Sequence, residues 1–346
     1  MSSIWYCTRE DVKRAFDSKE SARNDAQIDR AVAGATADVE RKLHRVFYPR
    51  VATVAFDWPN FQYARGWRLW LDQNELISVT EVRSADEVIA SSDYILYPND
   101  GPPYNRIELN TGGPAAFGAG DTSQNSIEIE GLYGFTNEEV PMGDVAQFIN
   151  STDTALHVTR GTIEVGHLLR IGTERLNVTG KQLKDTTQAI GVALTANMNN
   201  VTVQVSDGTK FTVDEVILID AERMLVVDVA GNNLIVKRAW SGSVLAEHAL
   251  NTDIYAYWIA TVERGAAGTT AASHNETDDV FRWKVPAGIR TVCVAQALDT
   301  VLQEVGGYSR QTGARVQKQG AKGIALADAW DMAYDSYGRK ARIRGV

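Results

Sequence analysis

Both ends of this 346-residue chain carry helical periodicity, and the long stretch between them reads as strand. A chain arranged this way is constrained to an inserted architecture: the ends build one helical unit together, and the middle is a β-rich insertion into it. Thr8-Arg9-Glu10-Asp11 supplies an N-cap threonine with acids in the first turn, the start of a short helix. After a polar turn at 18–24, Ile28, Ala31, Val32, Ala35, Val39, Leu43 and Val46 recur at helical spacing until Pro49 stops the run. Pro286 opens a third helix whose stripe is Ile289, Val292, Ala295, Leu298, Leu302 and Val305, closed by Gly306-Gly307. Ile324, Ala327, Trp330, Tyr334 and Tyr337 mark a fourth. Helices this short and one-sided need one another, so the expected fold class is α+β: a helical bundle formed by both chain ends, with a large all-β insertion.

The insertion divides in two. Residues 50–145 show short strands broken by turns, and 146–286 contain an internal duplication. Ile171-Gly172-Thr173-Glu174-Arg175-Leu176 matches Ile219-Asp220-Ala221-Glu222-Arg223-Met224 at an offset of 48. Val236-Lys237-Arg238-Ala239-Trp240-Ser241-Gly242, followed by His248, matches Val262-Glu263-Arg264-Gly265-Ala266-Ala267-Gly268, followed by His274, at an offset of 26. Unequal offsets exclude a tandem array. One complete copy, at 208–249, is nested between the halves of another, at 161–180 and 259–283, with a hairpin turn at Gly231-Asn232-Asn233. The recurring Glu174 and Glu222, Arg238 and Arg264, and His248 and His274 fit residues that hold each copy's own fold, a Glu–Arg pair across strands and a histidine bonded in a loop. Their spacing is not that of a metal site. With the ends counted as residues 1–49 and 287–346, four segments result.

Charge is unevenly shared. The ends together carry about five net positive charges, leaving fourteen net negative on 50–286, and the whole chain stands at −9. The last segment holds Arg339, Lys340, Arg342 and Arg344 with no acid among them, which reads either as a solvated tail after a helix C-terminus or as a contact for an acidic partner surface or nucleic acid. The two cysteines, Cys7 and Cys293, fall in helices and read as buried thiols that packing of the ends could bring together. The cluster Trp58, Phe61, Tyr63, Trp67 and Trp70 reads as the core and rim of a β-domain, with a stacking platform for sugar or base as the alternative. No membrane span, secretory leader, phosphate loop, dinucleotide fingerprint, HExxH, GxSxG or CxxC is present, and the paired acids Glu138-Glu139 and Asp278-Asp279 lack a partner base. No enzyme and no cofactor is expected.

The ends resemble a family. Tyr6-Cys7-Thr8-Arg9-Glu10-Asp11-Val12, Gln27-Ile28-Asp29-Arg30-Ala31 and Glu40-Arg41-Lys42-Leu43, leading to Arg45-Val46-Phe47-Tyr48-Pro49, are similar to the N-terminal helices of head-to-tail adaptor (connector) proteins of tailed bacteriophages. Leu69-Trp70-Leu71-Asp72, Ile77-Ser78-Val79-Thr80, Pro102-Pro103-Tyr104 and Gly131-Leu132-Tyr133-Gly134-Phe135 resemble β-regions of such phage proteins. Many of these adaptors are small helical bundles, so a β-insertion of this size is a departure. The resemblance implies a virion protein at the head–tail interface, forming a homo-oligomeric ring of about twelve copies beneath the portal protein and joining it to the stopper or tail. It implies a helical ring core of Ile28, Val32, Val39, Leu43, Ile289, Leu298, Leu302, Trp330 and Tyr334, with portal or DNA contact through Arg339, Lys340, Arg342 and Arg344. A receptor- or carbohydrate-binding tail module is the competing expectation.

Overall fold

The computed structural model describes residues 4–16, 25–58, 65–118, 120–305 and 326–339. It corrects the expected fold class. Strand makes up 37% of the chain and helix 23%, and the ends do not build a self-contained helical bundle. Four α-helices are described: α1 (Arg9–Phe16), α2 (Asp25–Leu43), α3 (Ala287–Val305) and α4 (Leu326–Tyr337). They are too few and too small to enclose a core, so they close over β residues. Their buried side chains merge with Leu168 and Trp283 from two strands, and with the partly buried Phe135, Ala266 and Ala267.

The capping signal at the start operates as its chemistry requires. The Thr8 hydroxyl accepts from the Asp11 amide at 3.1 Å, and the Asp11 carboxylate accepts from the Thr8 amide at 3.0 Å, a reciprocal box that satisfies two otherwise orphaned donors. The expected continuation of α2 to Val46 fails at His44, which turns left-handed at φ 52°.

Residues 50–133 form two antiparallel sheets around one core. Four strands run in the order Arg50–Phe56, Ile127–Tyr133, Leu76–Ser84, Glu87–Ile89, and three in the order Arg68–Trp70, Arg106–Leu109, Tyr94–Tyr97. Ile127 and Ile129 alternate inward along their strand and meet Leu69, Ile107 and Leu76.

Beyond this lies a ten-stranded antiparallel sheet. Its spine is the 16-residue strand Glu174–Ala189 paired with Asp253–Glu263 through three register shifts. The nested copy contributes Val216–Ile219, Glu222–Ala230 and Asn233–Lys237. Ala230 pairs with Asn233, so Gly231 and Asn232 alone make the turn, and Gly231 takes φ 61°, which glycine adopts without a side-chain penalty.

Candidate functional site

Three constructions stand out: a helical layer formed by the chain ends, a duplicated ionic clamp, and an arginine–aromatic face.

In the helical layer, α2 and α4 flank α3. Gln27 bonds Glu304 at 2.6 Å near one end of the α2–α3 pair, and Thr36 sits 3.7 Å from Cys293 along its length, so the two helices run antiparallel. Trp330 on α4 donates its indole N–H to Gln296 at 3.1 Å, and Lys42 lies 3.9 Å from the same ring. At the far end Tyr337 covers Gly288, where a Cβ would come within 2.7 Å of the tyrosine ring; here the glycine is a requirement of close approach. Of the expected ring-core residues, Ile28, Val32, Val39, Leu43 and Ile289 are fully buried within this one chain, while Leu298 and Trp330 are half-buried. Leu302 and Tyr334 are 50% and 47% exposed, and Met332 of α4 is 59% exposed. The inward face of α3 is Ile289, Val292, Cys293, Ala297 and Val301, which turns Leu302 outward.

The chain ends meet here. The Arg339 amide donates to the Leu43 carbonyl at 3.2 Å, and its guanidinium reaches Glu75 at 3.3 Å. Arg45 shares that carboxylate. Arg339 is therefore tied into the fold, while Lys340, Arg342 and Arg344 lie outside the described residues.

The duplicated residues form two clamps of the same construction. Arg238 forks Glu222 through Nε and Nη2 at 2.7 and 2.8 Å, and Arg264 forks Glu174 at 2.8 Å through both. Each carboxylate also accepts two backbone N–H groups, from Ala239 and Ala246 in one copy and Gly265 and Ala272 in the other. His248 and His274 complete the set at 3.0 and 2.7 Å. Burial alone would raise these carboxyls, but the arginine fork, the backbone donors and the histidine outweigh it and hold both down to about 2. The backbone repeats as well. Ala239 and Ser241 take φ 52° and 53° where Gly265 and Ala267 take 60° and 52°. Sequence reading found the Glu, Arg and His of each clamp but missed its fourth side. Arg238 also donates to the carbonyls of Thr195 and Asn200, and Arg264 to those of Asn150 and Asp153. Those carbonyls carry no residue signature. Among the described residues no group of three or more His, Cys, Asp or Glu side chains could hold a metal ion.

The aromatic cluster comes apart. Trp58 is buried against Phe117 at 5.0 Å, and Phe61 and Tyr63 lie outside the described residues. Trp67 and Trp70 reach the surface under arginines. Arg68 lies 4.8 Å from the Trp67 ring centre, and Arg106 lies 5.2 Å from Trp70 and 4.4 Å from Tyr97. Glu108 fixes both guanidiniums at 2.6 and 2.8 Å. A sugar would have to displace these internally held cations to stack on the rings. The paired acids are also engaged: Glu138 with Lys284, Glu139 with Arg170 and Arg175, and Asp278 with the Asn275 amide.

Among the described residues no helix is long and apolar enough to cross a membrane. No protein-family model, curated protein or solved structure matches the chain.

Proposed function

We propose that the chain is a structural component of a tailed-phage virion, a head-to-tail adaptor that assembles as a ring of about twelve copies under the portal and joins it to the stopper or tail. The role is mechanical. The observation that carries the reading is that Leu302 on α3, and Met332 and Tyr334 on different faces of α4, stay 50%, 59% and 47% exposed on helices whose inner faces are packed. Burying the exposed half of such a side chain against a neighbouring copy would contribute about 1 kcal/mol each. A ring needs one patch of each copy to meet a different patch of the next, and closure then supplies the avidity. The seven buried or half-buried residues of the expected ring core hold the single chain together, and the exposed ones are left for the neighbour. The C-terminal cations Lys340, Arg342 and Arg344 follow directly after Arg339, which is anchored to the layer, and are assigned to the portal.

Mass photometry of the chain, alone and mixed with the portal ring from the same genome, tests this. The expected result is addition of about twelve copies to the portal, reduced at least tenfold in affinity by changing Lys340, Arg342 and Arg344 to Ser. Leu302→Asp with Tyr334→Asp should leave the monomer folded and abolish the ring. A chain that neither self-associates nor binds the portal overturns the proposal.

A further inference from the structure

At the head of α1 the structure packs an unusual number of charges. Asp11, Glu10 and Glu164 face Arg14, Lys13, Lys181, Arg282 and Arg290, with His167 among them. Each carboxylate has its own cation. Asp11 takes a bidentate contact from Arg290, Glu164 takes Arg14 at 2.5 Å with the Thr8 hydroxyl, and Glu10 takes Lys181 at 2.9 Å. Lys13 goes to Asp25 at 2.7 Å, and Arg282 is the cation left over. Among the described residues no carboxylate lies within ion-pair distance of it, and its one polar contact is Nη1 at 3.3 Å from His167 Nε2.

That contact cannot satisfy it. The Glu164 amide points at His167 Nδ1 at 3.3 Å, so both ring nitrogens face N–H donors. A neutral imidazole has one acceptor nitrogen only. With Nδ1 accepting from the Glu164 amide, Nε2 carries the proton, fixed in the ring plane with Glu164 Oε2 3.6 Å away, and offers Arg282 no lone pair. With the other tautomer, the Glu164 amide is orphaned instead. A charged imidazole would make both contacts repulsive, and burial together with the Arg282 and Arg290 charges keeps this ring well below its usual pKa. The site is short of an acceptor, and the Arg282 charge is favoured only through space by Glu164 and Asp11, neither of which bonds it.

Arg282, His167 and Arg290 line a cavity of about 100 Å³, with Trp5, Cys7, Lys284 and Asp11 also on its walls, the Asp11 carboxylate being held by Arg290. The space holds several water-sized groups, enough for a small oxyanion. Water would meet the donor and leave the charge. An oxyanion meets both, and a planar five-donor guanidinium is the side chain best matched to one.

We propose that this cavity is a binding site for a small oxyanion of phosphate or sulfate size, with Arg282 as its principal ligand and Lys284 and Arg290 at its wall. The site lies on the seam between α1, α3 and the strand Asp279–Trp283, so the bound ion ties the helical layer to the sheet. It does not depend on ring assembly.

The test is thermal unfolding of the full chain at pH 7.5 in sodium phosphate against sodium chloride of matched ionic strength, with isothermal titration of phosphate. Phosphate should raise the melting temperature in a saturable way, and sulfate should act alike. Arg282→Gln should weaken phosphate binding at least tenfold. Arg282→Lys, which keeps the charge without the fork and protects the test against misfolding of the first variant, should lie between. Absence of a phosphate-specific shift in the wild type overturns the proposal, as does an equal shift in a folded Arg282→Gln or Arg282→Lys chain.

Discussion

Arg238→Met is the substitution that most directly probes how the large sheet holds together. Arg238 and Glu222 are both wholly buried, and the guanidinium makes two contacts to the carboxylate and three to the carbonyls of Thr195, Asn200 and Ala246. Methionine has a comparable length and none of the donors. It strands a buried carboxylate that keeps only its two backbone N–H groups and His248. Breaking a buried pair from one side costs about 3–5 kcal/mol, and the three abandoned carbonyls put the expected loss in the upper half of that range. In urea this lowers the unfolding midpoint by about 1 M or more, taking a slope near 3 kcal/mol/M. The assay is a urea titration followed by far-UV dichroism and by tryptophan emission, for which Trp240, two residues from the arginine, is a local reporter. Arg264→Met should cost nearly as much, its side chain being 7% exposed. The same carboxylates fix the acid limb. Their folded pKa of about 2 lies below the free value of 4.5, so their contribution is complete above pH 4.5 and is lost as pH falls towards 2. An unfolding free energy for Arg238→Met within about 1 kcal/mol of wild type would refute the reasoning, because no buried charge could then have been left unpaired.

Two further outcomes follow from single buried groups. Burial pushes Glu215 up to about 7 against hydrogen bonds from the Thr212 amide and the Trp258 indole, so its ionised form is disfavoured in the fold. Its destabilising effect grows from pH 4.5 to pH 7 and is constant above; Glu215→Gln should therefore stabilise the chain at pH 8, by at most about 3 kcal/mol, and not at pH 4, read as the difference in melting temperature between the two proteins at each pH. Cys7 and Cys293 are free, buried and 3.2 Å apart at sulfur. Diamide, which takes up two hydrogens as two thiols become one disulfide, should join them with the loss of two hydrogen atoms in mass and stabilise the chain by up to about 5 kcal/mol, given the length of the loop closed. Two thiols still open to alkylation after diamide treatment and denaturation would defeat that expectation.

What could be read in the sequence was local. The capping box at Thr8 and Asp11, the turn at Gly231 and the matched Glu, Arg and His of the two clamps all depend on residue type at short spacing, and each has its place in the structure. The helical bundle was misjudged because periodicity states that a helix has an apolar face without saying what covers it. The cover here includes Leu168 and Trp283 from strands. On α3 the two possible stripes differ by a small rotation. The larger side chains Leu298 and Leu302 favour one, but close packing against Ala31 and Ala35 of α2 selects the stripe with Cys293 and Ala297. Arg282 carried no sequence signal either, since its distinction is that the nearby carboxylates, Asp11 and Glu164, are bonded to other cations brought from separate segments.

The nesting of one clamp inside the other also sets an order of events. Glu222 and Arg238 are 16 residues apart in the chain, whereas Glu174 and Arg264 are separated by 90, and the entire inner copy lies within that span. Closing the outer loop costs about 1.5 kcal/mol more in chain entropy if the intervening residues are free. Once the inner copy has folded, its compact body shortens the effective tether. Folding of this sheet should thus proceed from the inside outward, with the second clamp closing on a template that is its own duplicate.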